Sequence, residues 1–378
     1  MLRRIYVDNY KCLVNFECQL ANLNLILGNN GSGKSTIFEV LRNIRDFATG
    51  KSPIALLSNS TLTRWQKRDV QTFEIEVSGN GGLYTYRLEV EHELDEDRQR
   101  ARLEQITFDG EPLYRARLVE GSPPFYEVQL YRDDTSLGPV ISGDWTRSGL
   151  PFLGERPDNT KVTWLKTWFK EKLLCLQIDP MHMDALSRGS EPELDPYAAN
   201  FVGWYRYRVS TDMSATISLY NELTKLYDEF RGLTLEQQGG DVQHLFASLG
   251  IVEEQRGKPV YVKYSFGDLS DGERCLIVLH TLLQLLNDSE VTLCLDEPDN
   301  YIALQEIHPW LLAVEQAVCS SNAQAVLASH HPEVIDFLAR ECGLLLERTH
   351  NGPTRVKRYE SASDPGLSDS QKVARGWQ

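Results

Sequence analysis

The sequence specifies an α/β protein with a mixed or parallel sheet, an antiparallel β lobe and an inserted helical lobe. Three observations carry this. A glycine-rich turn near the N-terminus joins a short apolar strand to an amphipathic helix. Residues 72–131 then alternate apolar and polar with a period of two, as half-buried antiparallel strands do. The last third alternates short apolar strands with helical segments, which is the pattern of a parallel sheet with crossover helices.

Taken in order, residues 5–7 and 23–27 read as strands. The second is apolar apart from Asn24 and ends at Gly28, as a buried strand does on entering a turn. Residues 35–47 place Ile37, Val40, Leu41 and Ile44 at helical spacing. Residues 51–67 read as a polar loop. Phe73, Ile75 and Val77, then Tyr84, Tyr86, Leu88 and Val90, alternate around a Gly79-Asn80-Gly81-Gly82 turn. Residues 121–158 are rich in Gly and Pro and read as loop. Helix is expected over 162–173 and strand over 174–178. A second amphipathic helix over 214–230 sets Leu219, Tyr220, Leu223, Leu226, Tyr227 and Phe230 on one face. Neither helix sustains apolar heptads, so no long coiled coil is expected. Helices over 272–286, 305–319 and 332–339 then alternate with strands over 291–295, 325–328 and 344–346. The chain thus divides into an N-terminal lobe (1–150), an inserted helical lobe (151–260), a C-terminal lobe (261–360) and a polar tail (361–378) expected to fray.

Composition narrows the function classes. Of 378 residues, 41% are hydrophobic and 25% charged, which suits a packed core and excludes global disorder. The net charge of −15 means that any nucleic acid must be met by a local basic patch. The seven cysteines include no C-x-x-C pair and read as free thiols of a reducing compartment. The longest apolar run, near 275–286, is broken by His280 and Gln284 and is too short to span a bilayer. Arg3 and Arg4 are followed by no apolar stretch of a signal peptide. A cytoplasmic protein without a membrane partner is expected.

Residues 28–35 read Gly28-Asn29-Asn30-Gly31-Ser32-Gly33-Lys34-Ser35, which fits G-x-x-x-x-G-K-[ST] between a strand and a helix. Glycines let backbone N–H groups face phosphate oxygens, and the helix N-terminus adds a positive partial charge. Lys34 then reaches the β- and γ-phosphates and the Ser35 hydroxyl binds Mg2+. The strand over 291–295 ends in Asp296 and Glu297, at the edge where α/β sheets place their ligands. Asp296 is positioned to hold the metal and Glu297 to activate water. Leu269-Ser270-Asp271-Gly272-Glu273 precedes an apolar helix; it reads either as a second phosphate contact or as an ordinary helix cap.

The order of these motifs, closed by a strand ending at Ser329-His330, resembles the ABC ATPases. The opening Ile5-Tyr6-Val7-Asp8-Asn9-Tyr10-Lys11, with residues 23–36, resembles the RecF/SMC branch in particular. The resemblance covers the first fifty residues and about 265–346, with weaker likeness at 176–183 and 198–207. It implies an ABC-ATPase head that uses ATP and Mg2+ and dimerises, or forms a higher homo-oligomer, on ATP. The signature of one copy then covers the γ-phosphate at the other's phosphate loop. It implies nucleotide contacts from Lys11, Asn29, Asn30, Gly31, Gly33, Lys34, Ser35 and Thr36, and from Ser270 and Gly272 in trans. Glu297 and His330 become catalytic; Ser35, Asp296 and Gln177 face the metal, with Gln71 as the alternative to Gln177. A two-histidine metal site at His330-His331 is a further option. Asp271 stands where the signature has its first glycine, and the D-loop role falls to Asp299 and Asn300.

Trp204-Tyr205-Arg206-Tyr207-Arg208 reads either as a stacking surface for nucleic acid or as an amphipathic helix packed on the core. Arg64, Lys67 and Arg68 form one small basic cluster, and Arg98, Arg100 and Arg102 another beside Asp95, Glu96 and Asp97. Three roles follow from the resemblance: the ATPase of a bacterial anti-phage or toxin-type module with a separate effector protein, a DNA repair ATPase, or a non-hydrolysing scaffold. The few residues after His330 are expected to leave no room for a C-terminal nuclease domain.

Overall fold

The computed structural model describes residues 1–54, 57–121, 124–226, 230–255, 258–287, 290–349, 352–361 and 366–375. Strands β1 (Leu2–Asp8), β2 (Phe16–Gln19) and β3 (Leu23–Gly28) lead into helix α1 (Lys34–Ala48). Strands β4 (Val70–Gly79), β5 (Gly82–Glu93), β6 (Arg98–Phe108), β7 (Glu111–Val119), β8 (Phe125–Tyr131) and β9 (Leu137–Gly143) follow. These six join β2 and β1 in an eight-stranded antiparallel sheet of order β2-β1-β4-β5-β6-β7-β8-β9. Phe73, Ile75 and Val77, with Tyr84, Tyr86, Leu88 and Val90, are all buried on one face, as their alternation predicts. Strand β8 ends the alternating stretch 72–131, while β9 arises within 121–158, where loop was expected. Strand β9 is mostly exposed, so it lacks the apolar alternation by which a half-buried strand is recognised.

Next come α2 (Thr160–Thr167), a π-helical turn Trp168–Lys172, β10 (Leu173–Leu176), β11 (Leu186–Ser187), α3 (Phe201–Thr211) and α4 (Met213–Leu226). Strands β12 (Phe230–Gly239), β13 (Val242–Gln255) and β14 (Lys258–Ser265) complete a small antiparallel sheet with β11. The stretch 151–260, expected as a helical lobe, therefore carries helices and also most of a sheet that was not foreseen. Phe230, expected on the second helix, opens β12; Tyr227 lies outside the described residues.

The chain then alternates α5 (Asp271–Leu283), β15 (Thr292–Asp296), α6 (Leu304–Ser320), β16 (Gln324–Ala328), α7 (Pro332–Cys342) and β17 (Gly343–Arg348). Strand β18 (Thr354–Arg358) turns back antiparallel on β17, and α8 (Asp369–Arg375) closes the chain. The central sheet has the order β10-β15-β16-β3-β17-β18, parallel except for β18. The tail does not simply fray. Asp369 is buried, takes the Arg340 guanidinium at 2.5 Å and the Tyr359 hydroxyl at 3.1 Å, and ties α8 to α7. Residues 362–365 and 376–378 of that expected tail lie outside the described residues.

The period-two rule separates two cores across the central sheet. Leu25, Leu27, Leu293, Leu295, Leu327 and Leu345 face α5, α6 and α7. Ile26, Cys294, Val326 and Leu346 face the other way, onto Ile37, Val40, Leu41 and Ile44 of α1 and the antiparallel sheet behind it. The helix carrying the phosphate loop is thus sandwiched between two sheets. Its N-terminus is fixed at the carboxyl edge of the parallel strands.

Candidate functional site: a nucleotide cleft at the sheet edge

The turn from β3 into α1 is built by glycines where a side chain does not fit. A Cβ on Gly28, whose φ is +146°, would lie 2.6 Å from the Leu346 carbonyl oxygen. Gly33 caps α1 in the left-handed region, at φ 108°. The loop is braced from behind. The Thr354 hydroxyl donates to the Ser32 carbonyl at 2.7 Å, and an Arg348 Nη1 to the Gly31 carbonyl at 3.1 Å. Lys34 is buried and folds back, its Nζ donating to the Gly28 carbonyl at 2.8 Å and reaching the Asn29 carbonyl at 3.4 Å. Burial pushes the Lys34 ammonium down, and the nearby Glu297 and Asp296 carboxylates push it up.

Two carboxylates leave the end of β15 in different environments. Asp296 is buried, and its Oδ1 has no hydrogen-bond partner among the described residues. Burial pushes its carboxyl up, with the Ser35 hydroxyl drawing it back down and Glu297 adding to the rise. Glu297 is half-buried and held in the left-handed region at φ 49°, a strained conformation for a residue other than glycine. Its N–H donates to the Ala328 carbonyl at 2.8 Å, and Asn300 donates to its Oε2 at 2.9 Å. That turn aims the carboxylate toward His330, whose Nε2 lies 3.9 Å from Oε1. Burial, then Lys34, push the His330 imidazole below its ordinary value, so its neutral form prevails at pH 7.

A cleft of 740 Å³, ample for a nucleotide, opens here, with Asp296 outside its lining. Lys11, Asn30, Gly31, Gly33, Lys34, Ser35, Thr36, Glu297 and His330 all face it. Asn29 contributes its carbonyl to Lys34 from the loop. Lys11 reaches the cleft with its ammonium already paired to Glu39 at 2.5 Å. The donor set also suits Mg2+: a hydroxyl at Ser35 beside a buried carboxylate with a free oxygen is the hard, all-oxygen chemistry that this ion takes.

Ser270 and Gly272 do not line the cleft. Ser270 caps α5, accepting from the Glu273 N–H at 3.3 Å while the Glu273 carboxylate accepts from the Ser270 N–H at 2.8 Å. A Cβ on Gly272 would lie 2.8 Å from the Tyr301 carbonyl, which keeps this position small and seats the signature against the turn after Glu297. Gln177 follows β10, whose Leu176 pairs with Leu295 in parallel register, so Gln177 stands level with Asp296 without lining the cleft. The alternative, Gln71, is excluded by its surroundings. It is wholly buried, donates to the Asn9 carbonyl and Thr61 hydroxyl at 3.1 Å, and meets His92 at 3.0 Å. A metal between His330 and His331 also lacks support: among the described residues no three His, Cys, Asp or Glu side chains converge for one. His331 instead caps α7 through the Glu333 N–H.

The sequence reading missed one wall of the cleft. Trp65, Ser60 and Leu62 come from the segment read as polar loop, and Arg348 from the end of β17. The Arg348 guanidinium lies 5.5 Å above the Trp65 ring, a cation–π pair that presents a flat surface to the cleft. No spacing rule flags such a wall, because its parts meet only through the fold.

Comparison with known proteins agrees with this geometry. Residues 1–80 match the family profile of an AAA ATPase domain. An SMC head bound to the C-terminal winged-helix domain of ScpA aligns with a TM-score of 0.56 at 10% identity, over 96% of this chain and 98% of that one. An SMC head with an extended coiled coil from Pyrococcus furiosus, bound to the C-terminal domain of ScpA, aligns with a TM-score of 0.53 at 11% identity, over 94% and 95%. No curated protein matches the chain. The fold is that of an SMC-type ATPase head. No helix among the described residues is long and apolar enough to cross a membrane.

Proposed function

We propose that this chain is an ABC-type ATPase that binds ATP in the cleft, completes its catalytic site by pairing with a second copy, and thereby controls a partner protein. One observation carries the reading. Lys34, Ser35, Glu297 and His330 share one cleft beside the buried Asp296, while the signature Ser270 stays outside it. A site with a phosphate loop, water-activating carboxylate and histidine, but no signature, is half of a composite site.

Each residue then has a task. Lys34 exchanges its bonds to loop carbonyls for the β- and γ-phosphates. Ser35 and Asp296 hold Mg2+, which when bound neutralises charge on the phosphate oxygens. Glu297, fixed by Asn300 and its own strained backbone, accepts the proton of the attacking water. Neutral His330 donates a hydrogen bond to the γ-phosphate. Gln177 reaches the metal from the neighbouring strand. Ser270, Gly272 and the N-terminus of α5 supply a hydroxyl and free N–H groups to the γ-phosphate on the second copy. Asp299 and Asn300, in the turn after Glu297, take the D-loop role across the pair.

The partner is proposed as a separate effector, a nuclease or toxin, with this chain as the ATPase of a bacterial defence module. Support comes from charge and from the neighbours. The chain carries −15, and the Arg98 and Arg100 cluster is spent on Glu91, Glu93 and Glu96. Trp204 and Tyr205 are buried in the core rather than offered to bases. Both SMC heads compared above are bound to part of another protein. Affinity capture with the Glu297→Gln protein and ATP tests this: a stoichiometric protein companion is expected, and recovery of DNA alone would favour a repair ATPase instead.

A further inference from the structure

A second cavity, of 370 Å³, opens where the C-terminal end of α1 meets β10 and α3. Four cations line it: Arg45, Lys170, Lys172 and Arg208; the acids are Glu171 and Glu193. Arg45 is decisive. Its side chain is 6% exposed, and among the described residues its Nε has no hydrogen-bond partner and its one ion pair, to Glu193, is long at 3.8 Å. Glu193 is itself held more closely by Lys51. A buried guanidinium so poorly matched is costly unless an anion completes it. Trp204 and Tyr207 add an aromatic wall, and the Arg208 guanidinium meets Asp212 only at 3.6 Å.

We propose that this cavity binds a small phosphate-bearing anion, clasped by Arg45 with Lys172 and Arg208 against the Trp204 and Tyr207 wall. Arginine is suited to the task because its planar fork matches phosphate oxygens. The site is separate from the nucleotide cleft. Lys34 and Arg45 are at opposite ends of α1, roughly 16 Å apart along its axis, and share no lining residue. Trp204, Tyr207 and Arg208 thus serve a ligand pocket rather than a nucleic-acid surface.

Calorimetric titration with inorganic pyrophosphate tests this in the Lys34→Ala protein, where the phosphate loop is disabled. Saturable binding at one site per chain is expected. Arg45→Met, and separately the pair Lys172→Gln with Arg208→Gln, should weaken it by at least ~tenfold. Arg45→Met should also leave the melting temperature in phosphate-free buffer unchanged or raised, because it removes a poorly paired buried charge. The proposal is overturned if Lys34→Ala protein does not bind pyrophosphate, or if binding survives both sets of substitutions. A drop in the melting temperature with Arg45→Met would make that residue a structural partner of Glu193 and also overturn it. Displacement of bound pyrophosphate by duplex DNA would assign the contacts to a nucleic-acid backbone, against the small-ligand reading.

Discussion

Replacing Asp296 by Asn should stabilise the protein without ligand and deprive it of stabilisation by Mg·ATP. The carboxylate is buried, and its Oδ1 has no partner among the described residues. Leaving such a group unsatisfied costs about 1–3 kcal/mol, more when it is charged. Burial raises its folded pKa above the unfolded value. The sign follows: above the folded pKa the acid is charged in both states and the penalty is fully present, and the penalty fades as pH falls through the folded pKa. Asn removes the charge and should gain roughly 1–2 kcal/mol at pH 7 in EDTA. That advantage should shrink toward acid, as the native Asp296 takes up its proton. With Mg·ATP at a hundred times its Kd, the parent gains about 2.7 kcal/mol. The variant should gain far less, having lost a ligand to the metal. Urea unfolding at two pH values, with and without Mg·ATP, measures all of this. An Asp296→Asn protein that is less stable in EDTA, or equally stabilised by Mg·ATP, would refute the reasoning.

Three further outcomes are expected. Lys34→Ala should abolish binding of a fluorescent ATP analogue yet leave the far-UV circular dichroism intact, since among the described residues its Nζ bonds only loop carbonyls. Glu104→Ala should cost about 3–5 kcal/mol by urea unfolding, because the fully buried carboxylate accepts from Tyr86, Tyr114 and Ser148 and its loss strands three hydroxyls. Glu297→Gln should keep ATP binding and accumulate ATP-bound dimers by light scattering, since the water loses its base while the phosphate contacts persist.

Much of the site was legible because its chemistry is local. Gly28 to Ser35 sit on one turn, and Asp296-Glu297 close one apolar strand, so their spacing alone marks where each stands in the fold. The alternating segment around Phe73 and Tyr84 was legible because one face is buried. The parts that escaped have no such signature. Strand β9 is exposed along almost its whole length, so no burial pattern marks it. Strand β12 is half-exposed or exposed from its second residue on, so no burial pattern marks it either. Helix α8 is short and polar and is held by a buried acid, Asp369, that pairs with Arg340 and Tyr359 from distant sequence. The Trp65 and Arg348 wall is likewise assembled across the fold.

The central claim is that one active site needs two copies, with Ser270 acting on the nucleotide of its partner. Mixing Ser270→Arg with Lys34→Ala subunits addresses it directly. Each variant alone should be inactive: one spoils the surface offered to the second copy, the other the phosphate loop. A heterodimer holds one site in which both halves are intact. Equimolar mixing with random exchange should therefore restore about a quarter of the parental ATPase rate. Full ATP turnover by Ser270→Arg alone, or mixtures that never exceed the activity of the separate variants, would contradict it.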